Sequence, residues 1–527
     1  MRLTDFFHIN KNKIGNITFL VLIFCILLIS NTLFSQGTQY NIKDFGAVGD
    51  GKTLDTKAIN KTIEHVHKNG GGSVIFPKGE YLSFSVRLES NIEIIIDKDA
   101  KIIAADPGNH NGPGYDIPDY NIWGDSLRYQ DFGHSHWKNS LFWGINLENI
   151  VIRGHGIIYG KGLTKKDFRK PGLGNKVFAF KNCRNILIKD ISVLQGGHFC
   201  ILATGVDSMR IEGMKIDSNR DGINIDCCTN VDIIDCKVNT PNDDAIVLKS
   251  SFALGYFKNT ENVKISGCTV SGYDMGTFLD GTFGTTQIEA PDKGGVTGRI
   301  KLGTESNGGF INITVNNCSF EHCRGIAIET VDGALIKDIT FSNISMHDIV
   351  NAPFYIRVGS RLRGPEGTPV GTTQNIRISN ITVTGVPPRY GAMIMGIQDH
   401  PAKDVYFKNI SIEVEGGAPK SQSDIIVPEL EDGYPDPRLY GEIPAYGFYI
   451  RHASELILED IDITYLKKDE RPVFIMEDVS NSTFRNIETG VIDSNKTILL
   501  KDVQNLRFKN VGNVKKKKIK KVDSLEL

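Results

Sequence analysis

The chain has 527 residues, of which 40% are hydrophobic and 23% are charged, and its formal net charge at neutral pH is −2. This composition supplies ample material for a packed core and excludes a disordered chain. A net charge so close to zero argues against a dedicated nucleic-acid-binding protein, because phosphate contacts normally require a strongly basic domain.

The N-terminus has the pattern of an export signal. Basic residues at positions 2, 11 and 13 precede the apolar run ITFLVLIFCILLIS, which begins at Ile17, and the small residue Ser35 suits cleavage. The run is shorter than the ~20 residues needed to span a bilayer, which favours a cleaved signal over an anchor. We therefore expect residues 1–35 to be a signal peptide and the mature protein to be periplasmic or secreted.

One amphipathic helix is predicted near the start of the mature chain. In DTKAINKTIEHVHKNGGG, the apolar residues Ala58, Ile59, Ile63 and Val66 share a helical face, and glycines at 70–72 give a stop signal. A repetitive fold needs closed ends, so we expect this short helix to cover the first coil of the repeats that follow.

A short alternating motif recurs along the rest of the chain. Its copies are NIVIRG at 149, NILIKD at 185, NVDIID at 230, NVKISG at 262, NITVNN at 312, NIRISN at 375, DVYFKN at 404 and NLRFKN at 505. Each copy predicts a strand too small to bury its own face, so successive coils must stack their strands into parallel sheets. The pattern predicts an all-β fold, a right-handed parallel β-helix over residues 36–510. It disfavours a leucine-rich repeat, because the chain lacks a ladder of leucines. It also disfavours a β-propeller, because the repeats of a propeller are longer and more regular.

Cysteines and asparagines recur within these copies. Cys236, Cys268 and Cys318 each lie six residues after the asparagine that opens a copy. Recurrence at one structural position favours stacked, reduced core cysteines over disulfides or metal ligands. Asn-Xaa-Ser/Thr triplets fall in the same copies, so asparagine stacking explains them better than glycosylation. Neither a metal ion nor another cofactor is predicted.

Three aspartates form the strongest candidate for a chemical site. Asp243 and Asp244 stand directly before the apolar run Ala245–Leu248, and Asp221 lies 22 residues upstream of Asp243, about one coil. Residues one coil apart lie on neighbouring strands ~4.8 Å apart, so the three carboxylates are expected to share one exposed surface. Their repulsion raises at least one pKa, which creates a proton donor beside ionised bases.

The segments around these aspartates resemble a known family. NRDG at 219–222 and NDDAIVLKS at 242–250 are similar to the Asn-Xaa-Asp-Gly and Asp-Asp motifs of glycoside hydrolase family 28, the polygalacturonase and rhamnogalacturonase family. The opening DFGAVGDGKTLDT and the late YPDPRLYGEIPAYGFYIRHA resemble family members as well. The resemblance implies single displacement with inversion, in which Asp243 is the acid, Asp221 and Asp244 activate water, and Asn219 orients the group.

Two segments depart from the family pattern. TGRIKLGTES at 297–306 stands where the family has Gly-His-Gly, and GIAIET at 325–330 stands where it has Arg-Ile-Lys. Both cations that normally hold a galacturonate are therefore missing. We expect Arg299 and Lys301, which alternate on one strand face, to replace the lost charge and bind the substrate's carboxylate.

Further residues are expected to line the site. His198 in QGGHFC occupies the place where the resemblance predicts an aromatic platform, with ordinary packing as the alternative. Glu305 and Glu329 are expected to add carboxylates, unless they are solvated corner residues. The predicted substrate-binding residues are Asn219, Arg220, Lys249, His198, Arg299, Lys301, Glu305 and Glu329.

The sequence supports three functional hypotheses. The first is an exported glycosidase that acts on an acidic polysaccharide or oligosaccharide of pectic or algal type, with long loops at 273–298 and 416–447 favouring attack at chain ends. The second is elimination from a uronate by a lyase or dehydratase on the same fold, with Lys249, Arg299 or Lys301 neutralising the carboxylate. The third is a non-catalytic polysaccharide-binding solenoid, which the clustered acids argue against.

Other partners are not expected. The sequence predicts neither nucleic-acid binding nor an obligate protein partner, and no membrane insertion after signal cleavage. The run KKKKIKK at 515–521 is expected to belong to a solvated basic tail of residues 511–527.

Overall fold

A computed structural model describes residues 38–119, 121, 128–129, 132–164, 170–286, 295–490 and 498–527. The predicted signal peptide lies outside the described residues. Among the helices of the described ranges, none combines the length and apolar character needed to cross a membrane.

Strands dominate the described chain. They are β1 (Gln39–Asn41), β2 (Asp50–Leu54), β3 (Gly72–Phe76), β4 (Gly79–Ser83), β5 (Val86–Arg87), β6 (Ile92–Ile96), β7 (Ala100–Ala104), β8 (Phe142–Ile145), β9 (Glu148–Gly154), β10 (Ile157–Tyr159), β11 (Lys176–Lys181), β12 (Arg184–Lys189), β13 (Ser192–Leu194), β14 (Phe199–Thr204), β15 (Asp207–Glu212), β16 (Lys215–Asp217), β17 (Ile223–Asp226) and β18 (Thr229–Ile234). The second half of the chain contains β19 (Lys237–Asn239), β20 (Ile246–Ser250), β21 (Thr260–Ser266), β22 (Thr269–Ser271), β23 (Ile300–Ser306), β24 (Phe310–Asn316), β25 (Ser319–Cys323), β26 (Ile326–Thr330), β27 (Leu335–Ile349), β28 (Phe354–Val358), β29 (Thr372–Val386), β30 (Ala392–Met395), β31 (Ala402–Gly416), β32 (Phe448–Lys467), β33 (Phe474–Ser480), β34 (Thr483–Thr489), β35 (Ile498–Val511) and β36 (Val514–Glu526). The helices are α1 (Thr56–Lys68), α2 (Thr277–Asp280) and four 3₁₀ segments, Ile42–Phe45, Phe132–Ser135, Lys420–Asp424 and Pro437–Tyr440.

These strands stack into three parallel ladders. The first contains β1, β3, β6, β9, β12, β15, β18, β21 and β24. The second contains β2, β4, β7, β10, β13, β16, β19, β22 and β25. The third contains β5, β8, β11, β14, β17, β20, β23, β26, β28 and β30. Later strands such as β27, which pairs with both β24 and β25, serve two ladders at once. The predicted parallel β-helix is confirmed.

The interior is filled by columns of equivalent side chains. Ile201, Ile223, Ile246 and Ile300 are successive partners in the third ladder, and each is fully buried. Burial of such a side chain contributes about 1.5–3 kcal/mol relative to its exposure. Alternate residues of the same strands point outward, which is how this ladder presents a polar face to its surroundings.

Asparagines form a ladder at the bends, as predicted. Asn262 has φ +56°, a left-handed conformation that Asn tolerates better than most residues. Its Nδ2 donates to Oδ1 of Asn230 at 3.1 Å, and its Oδ1 accepts from Nδ2 of Asn312 at 2.8 Å. The eight cysteines of the described chain are all free and buried, which confirms the preference for reduced core cysteines over disulfides.

The N-terminal cap also agrees with the prediction. Helix α1 buries Ala58, Ile59, Ile63 and Val66. It ends at Lys68, and Gly70 follows with φ +90°, a conformation that glycine adopts without strain. Because the apolar face covers the first coil, the core does not end in exposed side chains.

The C-terminal segment differs from the solvated tail expected at 511–527. Residues Val514–Glu526 form β36, which pairs antiparallel with β35 along nearly its whole length. The last coil of a solenoid leaves unpaired backbone groups at its edge, and these groups favour strand formation even in a lysine-rich segment. The basic run thus closes the end of the β-helix, and its exposed lysines lie on the final edge.

Candidate active site

The three predicted carboxylates meet at the start of two neighbouring strands. Asp221 precedes β17, and Asp243 and Asp244 precede β20, whose Ile246 pairs with Ile223 of β17. One carboxylate oxygen from each aspartate lies within 4.8 Å of the others. The one-coil spacing in the sequence therefore does bring these groups together.

The three carboxyl groups do not share one protonation state. Burial raises the pKa of Asp221 well above its ordinary value, and the charge of Asp243 raises it further. Burial acts in the same direction on Asp244, but Lys301 and Arg299 outweigh it and lower its pKa to about 2. The surroundings thus favour the protonated form of Asp221 and the ionised form of Asp244.

Asp243 is the accessible member of the group, with 26% of its side chain exposed. The Nη2 of Arg220 donates to its Oδ2 at 2.7 Å, and the backbone N–H of Asp244 donates to its Oδ1 at 2.9 Å. Asn219 supports the turn, because its Oδ1 accepts from the side chain of Asn242. Arg220 therefore orients Asp243 directly, and Asn219 links the two turns that carry the acids.

Arg299 and Lys301 contact protein carboxylates. Nε of Arg299 donates to Oδ1 of Asp244 at 2.8 Å, and its Nη2 lies 3.8 Å from Oε1 of Glu329. Nζ of Lys301 lies 3.4 Å from one oxygen of Asp244 and 3.4 Å from one of Glu329. Only 3% and 2% of the two cationic side chains are exposed. The structure therefore places them beneath the catalytic surface, where they hold Asp244 ionised and compensate Glu329.

Glu305 and Glu329 are buried, so they are not the solvated corner residues that the sequence left as an alternative. Burial raises the pKa of Glu329, and Lys301 and Arg299 oppose this rise. Burial would also raise the pKa of Glu305, but the charge of Lys249 holds it well below its ordinary value. Both residues thus belong to the buried charge network of the third ladder.

A second charge cluster lies at the other end of β20 and β23. Nζ of Lys249 is 3.0 Å from Oε2 of Glu305 and 2.6 Å from Nε2 of His134. Burial, followed by the charge of Lys249, lowers the pKa of His134 well below its ordinary value. The neutral ring accepts from Lys249. His134 comes from the long connection between β7 and β8, and no sequence motif marks it.

His198 is buried in the wall of the site. Its ring packs edge-on against Phe199 with centroids 4.4 Å apart, and Phe199 also contacts the ring of His134 at 4.7 Å. These contacts agree with ordinary packing, the alternative to the predicted sugar platform.

The connection between β31 and β32 is fastened over the third ladder. Buried Arg357 donates to the carbonyls of Glu429 and Leu430 at 3.0 Å, and buried Arg451 donates to that of Val427 at 2.7 Å. This attachment brings Tyr434 to the site, where its hydroxyl lies 3.4 Å from Oγ1 of Thr304. Sequence reasoning singled out this connection as a long loop and did not identify Tyr434.

Asp221, Asp243 and Asp244 are close enough to share a cation. However, Arg220 already pairs with Asp243, and Arg299 and Lys301 pair with Asp244. The arrangement therefore suits proton transfer, since the protein's own cations compensate two of the three carboxylates.

Three family models match successive parts of the chain. Residues 39–157 match "Rhamnogalacturonase A/epimerase, pectate lyase-like", residues 135–290 match "Right handed beta helix region" and residues 298–429 match "Glycosyl hydrolases family 28". A probable polygalacturonase of Vitis vinifera is 26% identical over 392 residues, covering 65% of this chain and 74% of the relative. Residues 298–429 thus match the family that the sequence motifs resemble, glycoside hydrolase family 28. The predicted family, the right-handed β-helix and the glycoside hydrolase class are thereby confirmed.

Two further proteins to which the chain is similar are named as exopolygalacturonases. An exopolygalacturonase of Arabidopsis thaliana is 23% identical over 382 residues, covering 63% of this chain and 83% of the relative. The structure of a family 28 exopolygalacturonase from Yersinia enterocolitica covers 90% of this chain and 79% of its own, with 15% identity and a TM-score of 0.53. The structural similarity shows that the two share the β-helix fold.

Proposed function

We propose that this hydrolase is exported and cleaves a glycosidic bond in a uronate-containing polysaccharide or oligosaccharide, with inversion of the anomeric centre. The observation that carries the proposal is the cluster of Asp221, Asp243 and Asp244, in which a carboxyl group with a raised pKa and one with a lowered pKa lie close to an accessible one. Most glycosidases use a pair of catalytic carboxyl groups whose pKa values differ.

The proton of the reaction belongs to the pair Asp221 and Asp243. One oxygen of each group lies within 4.8 Å of the other, and Asp243 is the member that a substrate can reach. In the proposed step, water attacks the anomeric carbon and gives a proton to Asp244. The bond to the leaving oxygen breaks as Asp243 protonates it. Asp221 then restores the proton to Asp243, and the proton taken by Asp244 passes to Asp221, which returns the cluster to its starting state. Such general acid catalysis contributes about 10²–10⁴-fold.

The stereochemical outcome is a test of this mechanism. Inverting enzymes usually separate their carboxyl groups by roughly 6.5–9.5 Å, whereas the oxygens here approach within 4.8 Å. The proposed inversion follows the family resemblance, but the raised pKa of Asp221 leaves Asp244 as the base and makes Asp221 a proton donor to Asp243, in contrast to the two bases that the resemblance implies. Proton NMR of the first product formed is expected to show the inverted anomer, and a retained anomer would overturn single displacement.

Elimination receives less support than hydrolysis. It requires a cation that neutralises the uronate carboxylate. Lys249, Arg299 and Lys301, the candidates for that role, each pair with a carboxylate of the protein. Their charges are thus already compensated within the fold.

The site is proposed to act at chain ends. The connection that carries Tyr434 is fastened across the third ladder by Arg357 and Arg451, and it places Tyr434 beside Thr304, on the strand that also carries Lys301. Two of the similar proteins above carry names that describe exo-acting enzymes.

One incubation tests the reaction class. Mature protein is mixed with pectic and algal uronate oligosaccharides, and both reducing ends and the ultraviolet absorbance of a C4=C5 unsaturated uronate are followed. New reducing ends without absorbance are expected. Absorbance at any stage would favour elimination, and monosaccharide as the first product would support action at chain ends.

A further inference from the structure

The end of the β-helix that lies far from the catalytic aspartates carries a segregated positive charge. Residues 503–521, which form most of the hairpin of β35 and β36, contain eight lysines and arginines and no aspartate or glutamate. The acids of this hairpin, Asp502, Asp523 and Glu526, lie towards its open end, away from the turn at Gly512. Because the formal net charge of the whole chain is only −2, the positive charge is a property of this surface and not of the protein as a whole.

Four of these cations lie side by side. Arg507 and Lys509 alternate with buried Phe508 on β35, so both lie on its outward face. In the antiparallel register, Lys518 is directly opposite Arg507 and Lys516 is directly opposite Lys509. Opposite Cβ atoms are about 5 Å apart, and alternate residues of one strand are roughly 6.8 Å apart. All four side chains are exposed, and together they form what we call the basic block.

The chain itself does not neutralise the basic block. None of its four side chains forms a hydrogen bond or an ion pair with another residue of the described ranges. On the next strand, β34, the register partner of Lys509 is Arg485, a further cation. Glu459 is the first acid in that row, and it already pairs with Arg485 at 2.7 Å. Since like charges directly opposite each other destabilise a sheet, a bound polyanion would relieve the repulsion within the block.

Protection of the sheet edge does not account for the whole block. Lysines on an outermost strand discourage pairing with another chain, which is a sufficient reason for the lysines of β36. Arg507 and Lys509, however, lie one strand further in, where β36 already pairs with the backbone of β35. Their position directly opposite two lysines concentrates positive charge at one place, which suits the binding of an anion.

We propose that the basic block binds a stretch of the acidic polysaccharide at a distance from the catalytic aspartates. A uronate polymer carries a carboxylate on each uronate unit, so successive units can form charge-assisted hydrogen bonds with different cations of the block. The choice of a uronate polymer as the ligand rests on the proposed function.

The distance between the two sites requires a long ligand. Seven successive strand pairings of the third ladder lead from β20, which follows Asp243 and Asp244, to β35. At roughly 4.8 Å per pairing, they separate the acids from the last coil by about 34 Å. A short oligosaccharide in the active site cannot reach the basic block, whereas a long polymer can contact both. Binding at the block thus raises the local concentration of polymer near the acids.

Binding to polygalacturonate tests the proposal directly. Every protein in this experiment is the mature chain with Asp243→Asn, so that the polymer is not degraded. Replacement of all four cations of the basic block by glutamine is expected to weaken binding by roughly 10-fold or more. A rise in ionic strength from about 0.01 M to 0.15 M shortens the screening length from about 30 Å to 8 Å, so binding by the parent is expected to fall more steeply than binding by the variant. The variant is expected to melt no lower than the parent, because the repulsion is removed.

A control variant removes the same amount of charge from other surfaces. It carries glutamine in place of four scattered, exposed lysines, Lys52, Lys98, Lys237 and Lys264. This control is expected to bind polygalacturonate as tightly as the parent. In enzymes that retain Asp243, neutralisation of the basic block is expected to lower kcat/KM on long polygalacturonate and to leave kcat/KM on a trisaccharide unchanged, because only the polymer spans both sites.

Equal binding by the parent and the block variant, or an equal loss in the control, would overturn the basic block as the binding surface. Equal binding of carboxyl-reduced polygalacturonate would overturn recognition through carboxylates. Binding to vesicles of anionic phospholipid without binding to polygalacturonate would assign the surface to a membrane instead. Failure to cleave any uronate oligosaccharide would reject the proposed function alone, since the binding experiment uses an inactive protein and decides the role of the block separately.

Discussion

At the scale of single residues, the site contains three chemically identical aspartate side chains that differ in their surroundings. Asp221 is buried beside another carboxylate, Asp244 is buried beside two cations, and Asp243 faces the groove with Arg220 at 2.7 Å. Because the environments of Asp221 and Asp244 favour different charge states, acid and base functions can coexist at one pH.

Asp243→Asn is expected to lower kcat by at least about 10²-fold, because the amide keeps the shape but cannot donate the proton. The melting temperature is expected to change little, since the side chain is partly exposed. Asp232→Asn, on the first ladder, is the control. Activity near that of the parent enzyme would exclude Asp243 as the acid.

The pH dependence of kcat/KM follows from the two shifted carboxyl groups. Asp244 must be ionised, and its pKa is lowered to about 2, so activity is expected to persist well below the ordinary carboxyl pKa of 3.8. The proton of Asp221 is lost as the pH rises through its raised pKa, which sets the basic limb of the rate profile. A rate profile that loses activity between pH 5 and 4 in a folded enzyme would contradict the assignment of Asp244.

The same shifts act on stability with opposite signs. The folded pKa of Asp244 lies below its unfolded value, so its stabilising contribution is present above about pH 4 and is lost as the pH falls towards 2. The folded pKa of Asp221 lies above its unfolded value, so its contribution is present at low pH and is lost as the pH rises through the raised pKa.

At the scale of elements, the outward face of the third ladder carries a buried charge network. Strand β23 contributes Lys301 and β26 contributes Glu329. The ammonium group of Lys301 contacts two carboxylates, those of Glu329 and Asp244. Removal of one member of such a buried network leaves an uncompensated charge, which costs more than the pair itself contributes.

Lys301→Met is expected to destabilise the protein by about 3–5 kcal/mol and to raise the pKa of Asp244, which moves the acid limb of the rate profile upward. The double variant Lys301→Met/Glu329→Gln is expected to recover most of this stability, since the partner charge is also removed. Urea denaturation and pH-rate profiles measure the two effects. If the double variant is as unstable as the sum of both single variants, the coupling between Lys301 and Glu329 is absent.

At the scale of the whole molecule, the β-helix is closed at both described ends. Helix α1 covers the first coil, and β36 pairs antiparallel with β35 at the last. The site lies on strands β17, β20, β23 and β26, several coils away from either end, so closure and chemistry can be separated experimentally.

Truncation after Gly512 is expected to expose the edge of β35 and to cause association, because an unpaired strand edge is a template for another chain. Light scattering after size exclusion is expected to show oligomers or aggregates. Turnover of a short oligosaccharide per folded subunit is expected to stay within about 2-fold, since no residue of the active site is removed. A truncated protein that remains monomeric and fully stable would show that β36 is dispensable as a cap.

Much of the architecture follows from the sequence because it rests on local patterns. Alternation specifies strands, asparagines at the bends specify the turns, and a repeat of about one coil places Asp221 beside Asp243 without knowledge of any loop. The partners of the cations were decided only in three dimensions. Arg299 and Lys301 meet Glu329 across neighbouring strands, while His134 and Tyr434 arrive on connections whose paths no periodic pattern encodes. The tertiary structure also decided that the basic C-terminus is a strand. Its own composition does not favour a strand, but the open edge of β35 offers it a pairing partner.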